Sequence, residues 1–321
     1  MDEALESTLV TLRDAVRWAA SRFSAAGLAF GHGTDNALDE AYALVSHVVS
    51  LAPGVPEPYL DARLHPQERR RIVELVDRRI ASRKPLPYLT GEAWFAGLPF
   101  HVDERVLVPR SPIAELIERR FEPWAPPTVG RILDIGTGCG CIAVTCALAF
   151  PRARVDAVDV DEGALALARR NAARHGVAER VEVLRSDLYA ALAGRRYDII
   201  VSNPPYVPEG ELAKLPAEYG HEPRHALASG PEGLDHPLRI LHGAAAHLGE
   251  GGILVMEVGA TRPALEAHLP GVPVLWVELE RGGEGVLLLT AEALTRYHAH
   301  FEAALAEIAA ADRGGEGRTA P

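Results

Sequence analysis

The sequence predicts an α/β protein in which a doubly wound, mostly parallel sheet follows a small helical domain. Three observations carry that expectation. From Arg131 to Leu289 short apolar runs alternate with helical segments, the pattern that builds parallel strands with helices on both faces. A glycine-rich turn, Asp134-Ile135-Gly136-Thr137-Gly138-Cys139-Gly140, ends the first of those runs. Nearer the N-terminus, apolar residues recur every three or four positions, as amphipathic helices require.

Taken in order, Leu5, Leu9, Leu12, Val16 and Ala19 mark one helix, Leu38 to Val49 a second, and Ile72, Leu75, Val76, Arg79 and Ile80 a third. The basic run Arg69-Arg70-Arg71 with Arg78, Arg79, Arg83 and Lys84 reads first as a solvated helix face and second as a docking patch. After Pro85 and Pro87 the period changes to two over Trp94 to Val108, with Gly97-Leu98-Pro99 as the turn of a connecting hairpin. Ser111-Pro112 ahead of Ile113, Leu116 and Ile117 signals an N-cap with proline at the first helical position.

The alternating section places strands at Ile132 to Ile135, Val155 to Val158, Val181 to Leu184, Ile199 to Val201 and Ile253 to Val258, with helices at Ala143 to Leu148 and Gly163 to His175. Val274 to Leu279 and Val286 to Thr290, joined by a tight Gly282-Gly283 turn, are expected to close the sheet antiparallel. The expected divisions are a helical domain over 1–88, a hairpin linker over 89–110, the sheet domain over 111–295 and a helical tail over 296–321 that frays past Asp312. No internal repeat interrupts this order.

Composition narrows the function classes. A chain of 321 residues favours two domains over one core, and 48% hydrophobic with 24% charged residues is globular rather than disordered. The net charge of −11 opposes phosphate-backbone binding, so no sequence-specific nucleic-acid partner is expected. Met1 to Val10 carries Asp2, Glu3 and Glu6 rather than a basic, apolar export signal, and no run is long enough to span a bilayer. A cytoplasmic protein with no membrane partner is therefore expected. Cys139, Cys141 and Cys146 lack metal-ligand spacing and a neighbouring histidine, so they read as small packing residues and no metal is expected.

The sharpest chemical signal is Asn203-Pro204-Pro205-Tyr206, directly after the apolar run Tyr197 to Ser202. Two successive prolines remove two N–H donors and fix φ, so the chain leaves the strand in one stiff shape with free carbonyls. An NH2 group needs two acceptors, which the Asn203 side-chain oxygen and the Pro204 carbonyl can supply, while the Tyr206 ring can lie against a planar amide or base. The glycine turn lets backbone approach a ligand at a helix N-terminus, but its spacing is not the dinucleotide pattern because position 141 is Cys. Asp159, at the next strand end, can accept from vicinal ribose hydroxyls, and Asp187, at the one after, from an exocyclic adenine amine. Alone, Asp159 is an ordinary strand-end residue and Asp187 reads equally as a helix cap. Their order with Asp134 and Asn203 at four successive strand ends suits one nucleoside-shaped ligand.

With these motifs in hand, the chain resembles class I S-adenosylmethionine-dependent methyltransferases with a Rossmann-like sheet. Within them it is most similar to the N(5)-glutamine methyltransferases of the HemK/PrmC/PrmB group, over about Arg71 to Leu294. Further matches are Val106-Leu107-Val108-Pro109-Arg110-Ser111-Pro112, Tyr219-Gly220-His221-Glu222-Pro223, Ala226-Leu227-Ala228-Ser229-Gly230 and Met256-Glu257-Val258-Gly259. Cys139 stands where many relatives carry Ser or Thr, and His101 where an aromatic is common.

The resemblance implies S-adenosylmethionine as methyl donor and S-adenosylhomocysteine as product. It implies cofactor binding by Asp134, Gly136, Thr137, Gly138, Gly140, Asp159, Asp187, Leu188 and Asn203. Catalysis is assigned to Asn203, Pro204 and Tyr206, with Asn203, Pro204, Pro205 and Tyr206 holding the substrate amide and the helical domain recognising the substrate. Release-factor enzymes of the group read Pro-Arg-Pro-Asp-Thr-Glu where this chain has Pro109-Arg110-Ser111-Pro112-Ile113-Ala114-Glu115. With Ala93-Trp94-Phe95-Ala96-Gly97 and Val102-Asp103-Glu104-Arg105, this form resembles the PrmB branch. The implied substrate is a glutamine of the third large-subunit ribosomal protein (L-three), free or on a ribosomal precursor. The alternatives are the Gly-Gly-Gln glutamine of release factors, an amino group of a nucleic acid, and a non-catalytic assembly factor.

Overall fold

The computed structural model describes residues 8–52 and 54–316, with side chains through Ala310. The chain divides into two compact units. One holds the residues up to Ala93 with Val102–Glu104 and Leu215–Glu222; the other holds Trp94–His101, Arg105–Lys214 and the residues from Pro223 onward.

The first unit is helical: α1 (Leu12–Ala25), α2 (Ala37–Val48), α3 (Pro66–Ser82) and the short α4 (Leu86–Thr90). Thr11 and Asp14 form a reciprocal capping box at α1, and the Asn36 side chain accepts from Leu38 N and Asp39 N at α2. These caps explain two departures from the expected stripes. Leu9 is buried but precedes α1, and Leu38, in the first turn of α2, is 56% exposed. Leu5 lies outside the described residues. Leu12, Val16, Phe23, Leu44, Ile72, Leu75 and Val76 make the core of this unit.

The basic run does not behave as one solvated face. Arg70, Arg71 and Arg78 are exposed, but Arg79 is fully buried beside two buried carboxylates. Its Nε donates to Glu40 Oε1 at 2.6 Å and its Nη1 lies 3.8 Å from Glu218 Oε1. Arg83 Nη2 reaches the same Glu218 oxygen at 2.7 Å, as does the Ala29 N–H at 3.0 Å. Arg79 faces inward because position 79 continues the row of Ile72, Leu75 and Val76, and its charge is tolerated there only because Glu40 and Glu218 share it.

The strands β1 (Glu92–Phe95) and β2 (Leu98–His101) form a two-stranded hairpin. Its turn is Ala96-Gly97, both with positive φ (49° and 73°), and not the expected Gly97-Leu98-Pro99. A two-residue turn with both φ positive matches the right-handed twist of the flanking strands, and extended structure does not continue to Val108.

The second unit is built on a seven-stranded sheet of order β5-β4-β3-β6-β7-β9-β8. Its members are β3 (Arg131–Ile135), β4 (Arg154–Asp159), β5 (Val181–Arg185), β6 (Tyr197–Ser202), β7 (Leu248–Glu257), β8 (Leu275–Trp276) and β9 (Val286–Thr290). The first five are parallel, and β9 runs antiparallel to both β7 and β8. Both faces of these strands are covered, which is why Ile132, Leu133, Ile199, Ile200, Val201, Leu254 and Val255 are all buried without alternation.

The helices α5 (Ile113–Glu118), α6 (Cys141–Ala149) and α7 (Glu162–Arg174) fall as expected, α5 one residue later because Pro112 is the cap. The Ser111 hydroxyl still accepts from Ile113 N at 3.3 Å. One helix the sequence reading passes over is α9 (Asp235–His247), numbered after the short α8 (Glu209–Leu212). Pro237, Gly243 and three histidines obscure its stripe of Leu238, Ile240, Leu241 and Ala244. The proline sits in the first turn, where no intrahelical donor is lost, and a Cβ at Gly243 would meet the Tyr189 ring at 2.5 Å.

The antiparallel edge is shorter than expected. β8 is only Leu275–Trp276, and its link to β9 is a loop rather than a tight glycine turn. The buried Glu115 carboxylate organises that loop by accepting from Glu280 N and Arg281 N, both at 3.0 Å. The last helices, α10 (Arg262–His268), α11 (Ala291–Arg296) and α12 (His298–Glu316), complete the unit. α12 extends to Glu316, and 317–321, the rest of the stretch expected to fray, lie outside the described residues. Among the described residues no helix is long and apolar enough to cross a membrane.

Candidate active site

Strand order decides where a ligand can sit. β3 lies between β4 and β6, so the chain proceeds outward in opposite directions from this pair and leaves a crevice at the strand carboxyl ends. The residues at the ends of β5, β4, β3 and β6 become neighbours in space. A cavity there holds roughly 1000 Å³, part of it open to solvent. It is lined by Gly136, Thr137, Gly138, Asp159, Asp187, Leu188, Asn203, Pro204 and Pro205. Asp134 and Gly140 are buried next to this lining, and Tyr206 directly follows Pro205 in the chain.

The glycine turn is pinned by backbone and carboxylate together. Gly136 N and Thr137 N both donate to Val158 O, at 2.9 and 3.0 Å, and Gly138 N donates to Asp159 Oδ2 at 2.9 Å. At Gly140, φ is +82° and a Cβ would lie 3.0 Å from the Ala168 Cβ, so glycine alone lets α6 start against α7. Asp159 Oδ1 also accepts from Asp161 N at 3.0 Å, and each of its oxygens keeps a second lone pair for a ligand hydroxyl.

Asp134 is fully buried. Its Oδ2 accepts from Thr137 Oγ1 at 2.6 Å and Ala143 N at 3.0 Å, whereas Oδ1 has no partner. Burial pushes its pKa up to about 7, and the two donors pull in the opposite direction. An unsatisfied carboxylate behind the turn suits a cationic ligand, whose charge would favour the ionised form.

The folded protein therefore keeps a proton on Asp134 up to about pH 7, whereas the unfolded chain releases it at ordinary carboxylate pH. The stability this group contributes is present at low pH and is lost as pH rises toward about 7. Cationic cofactor binding has the opposite sense: it expels the proton, so affinity should fall as pH drops below about 7. Calorimetry in two buffers of different ionisation heat should show close to one proton released at about pH 6 and almost none at about pH 8.5. Equal release at both values would rule out this coupling.

At the end of β5, Ser186 Oγ donates to Leu188 O at 2.8 Å and accepts from Ala191 N at 3.0 Å. These bonds hold Leu188 at φ +48°, a left-handed conformation that costs a branched residue about 1 kcal/mol or more. Asp187 Oδ2 is engaged by Arg239 Nη2 of α9 at 2.8 Å, a partner the cap reading did not anticipate, and Oδ1 remains for a ligand.

At the end of β6, Ser202 Oγ donates to Ile135 O at 2.7 Å and ties the two central strand ends together. Asn203 follows, half-buried, and no described residue hydrogen-bonds its side-chain amide. Pro204 is buried, and Tyr206 is part-exposed with its hydroxyl donating to Glu257 Oε1 at 2.7 Å.

Several lining residues carried no assigned role in the sequence reading: Arg105, Arg110, Val160, His225 and His236. Val160 directly follows Asp159 and is 50% exposed, an apolar surface suited to an adenine ring. Its position beside a strand-end aspartate was the available signal. Burial lowers the His236 pKa, and its Nδ1 lies 2.8 Å from Ser229 Oγ. Cys139 and Cys141 are buried at the cavity wall, and the neighbouring Cys139 thiol together with burial raises the Cys141 thiol. Among the described residues no cluster of His, Cys, Asp or Glu is arranged to hold a metal.

The paired strand-end carboxylates, the apolar Val160 and Leu188, and the orphaned Asp134 oxygen fit S-adenosylmethionine. Comparison with known proteins agrees with that fit. The family model "Methyltransferase small domain" matches residues 116–230. A Bordetella pertussis protein named ribosomal protein uL3 glutamine methyltransferase is 49% identical over 89% of this chain and 97% of its own length. A Xylella fastidiosa protein of the same name is 48% identical over 96% of this chain and 98% of its own. Among solved structures, a methyltransferase from Pyrococcus furiosus is 22% identical over 61% of this chain and 89% of its own, with a TM-score of 0.45. On the strength of near-full-length identity to these curated relatives, the chain belongs to the family of ribosomal protein uL3 glutamine methyltransferases.

Proposed function

We propose that this protein transfers the methyl group of S-adenosylmethionine to the side-chain amide nitrogen of a glutamine in ribosomal protein uL3, in the cytoplasm. The observation that carries the reading is Asn203: a carboxamide at a central strand end, half-buried in the cavity and bonded to nothing else in the described protein. When bound, the cofactor supplies a sulfonium-activated methyl group. The chain's own residues then have to present a weak nucleophile, because an amide nitrogen shares its lone pair with the carbonyl.

Asn203 Oδ1 and the Pro204 carbonyl accept the two N–H bonds of the incoming amide and orient its nitrogen. As positive charge grows on that nitrogen, both bonds strengthen, so they stabilise the transition state more than the ground state. The geometry is kept by the stiffness of Pro204-Pro205 and by the Ser202 clamp on Ile135. The methylated nitrogen is acidic enough to lose its proton to water, and no residue is assigned as base. Tyr206, anchored through its hydroxyl, holds the corner from which Asn203 projects.

The form of Pro109 to Glu115 and the names of the relatives favour uL3 over a release factor. Incubation with labelled cofactor, purified uL3 and purified release factor, followed by peptide mass spectrometry, should place one methyl group on a uL3 glutamine. Label on the release factor alone, or label removed by nucleases, would overturn the proposal.

A further inference from the structure

Two hydroxyls, those of Tyr206 and Ser111, meet on one buried carboxylate. Glu257 ends β7 and is only 6% exposed. Its Oε1 accepts from the Tyr206 hydroxyl at 2.7 Å, and its Oε2 accepts from Ser111 Oγ at 2.6 Å. Ser202 and Met256 are register partners across β6 and β7, so Glu257 lies level with Asn203, where the chain turns off the sheet.

We propose that Glu257 is a positioning residue that locks the Asn203-Pro204-Pro205-Tyr206 corner to the cavity wall at Arg105 to Ser111. The inference rests on the proposed function of that corner. Two walls of the cavity, one at Arg105 to Ser111 and one at Asn203 to Pro205, are otherwise separate in the chain. Glu257 reaches both through one side chain.

The chemistry requires a carboxylate. Both partners are hydroxyl donors, and only an ionised acid accepts on both oxygens without donating. A glutamine would keep the shape but offer one acceptor and one donor, so one of the two bonds would be lost or reversed. Reversal would make Ser111 Oγ accept twice, from the amide and from Ile113 N at 3.3 Å, and would leave its own proton without the Glu257 acceptor. Burial raises the Glu257 carboxyl, and Ser111, Tyr206 and Arg110 act in the opposite sense to favour its ionised form.

Steric packing fixes Tyr206 from two further sides. A Cβ at Gly259 would lie 2.8 Å from the Tyr206 ring, and one at Gly233 would lie 2.2 Å from the Tyr206 carbonyl oxygen. The ring is thus pressed on backbone just beyond Glu257, with its hydroxyl directed at the carboxylate. Since Pro204-Pro205 transmits little bending, the place of Tyr206 sets the place of the two acceptor oxygens. Downstream, Val207 N donates to Leu227 O at 2.8 Å and Glu209 N to Gly230 O at 3.0 Å, which continues the anchored segment.

The test compares wild type with Glu257→Gln, Tyr206→Phe and the double variant, each shown to fold by circular dichroism. Turnover should fall about 10- to 100-fold in each single variant, the order expected for misplacement by a fraction of an ångström to one ångström. KM for the uL3 substrate and the cofactor dissociation constant should change less than about threefold, and the double variant should lose little more than either single one.

Amide hydrogen exchange at Val207 and Glu209 in the cofactor-free protein supplies a readout independent of activity. It should quicken in both variants. Unchanged turnover and exchange in Glu257→Gln, or additive losses in the double variant, would overturn the inference. If Glu257→Gln does not fold, Tyr206→Phe decides alone by the same two measurements. A wild type that makes no methylglutamine would instead sink the proposed function, while the exchange result would still report on the lock.

Discussion

Asn203→Ala is expected to lower turnover by roughly 100- to 1000-fold, the loss typical when one preorganised hydrogen-bond partner of a charge-developing centre is removed. Cofactor affinity should change less than about threefold, because the glycine turn, Asp159 and Asp187 are untouched. The asymmetry follows from location: Asn203 directly follows β6, and its side-chain amide has no partner among the described residues, so nothing else in the fold depends on it. Steady-state kinetics and titration calorimetry on one preparation would measure both quantities. A parallel loss of cofactor affinity and turnover would assign Asn203 to cofactor binding instead.

Arg79→Ala should destabilise the helical unit by about 3–5 kcal/mol, the range for breaking a buried ion pair by removing one partner. Two carboxylates, Glu40 and Glu218, lose their shared cation while remaining at 1% and 0% side-chain exposure. Arg83 compensates only in part, because it is itself 36% exposed and reaches Glu218 alone. Arg78→Ala, one position away on the exposed face, should shift stability by less than about 0.5 kcal/mol. Urea unfolding of the two variants would distinguish them. Equal small shifts would mean that the buried cluster is not held as described. Glu218 lies in Leu215–Glu222, a stretch that belongs to the helical unit.

Much of the sheet unit was legible because its signals are local. Parallel strands covered on both faces read as unbroken apolar runs, so β3, β4, β5 and β6 were placed to within a residue or two of their observed ends. Fixed spacing likewise exposed the glycine turn and the proline-stiffened exit at Asn203. α9 was missed because proline and glycine lower helix propensity in isolation, whereas here Pro237 sits in the first turn and Gly243 makes room for Tyr189. The hairpin turn shifted by one residue because Ala96 accepts a positive φ that sequence alone would assign to glycine.

Long-range polar partnerships were not legible at all. Tyr206 meets Glu257 across 51 positions, and Ser111 meets the same carboxylate across 146. Arg79 finds Glu40 across 39 positions, and within a basic run it looked solvated. No periodicity encodes such pairs, because a hydrogen bond selects one atom and one direction while an apolar stripe selects only a face.

By itself, the sequence determined which residues sit at the ends of the parallel strands, with chemistry suited to a nucleoside-shaped ligand and a planar amide, and its resemblance to a known family implied the methyl donor. Strand order in the sheet, left open by the sequence, decided that those ends share one cavity. Tertiary structure also decided that the Tyr206 hydroxyl is bonded to Glu257 and that Arg79 is interior. Local patterns dictate local conformation through sterics and burial, whereas the meeting of distant polar groups depends on the whole chain having folded around them.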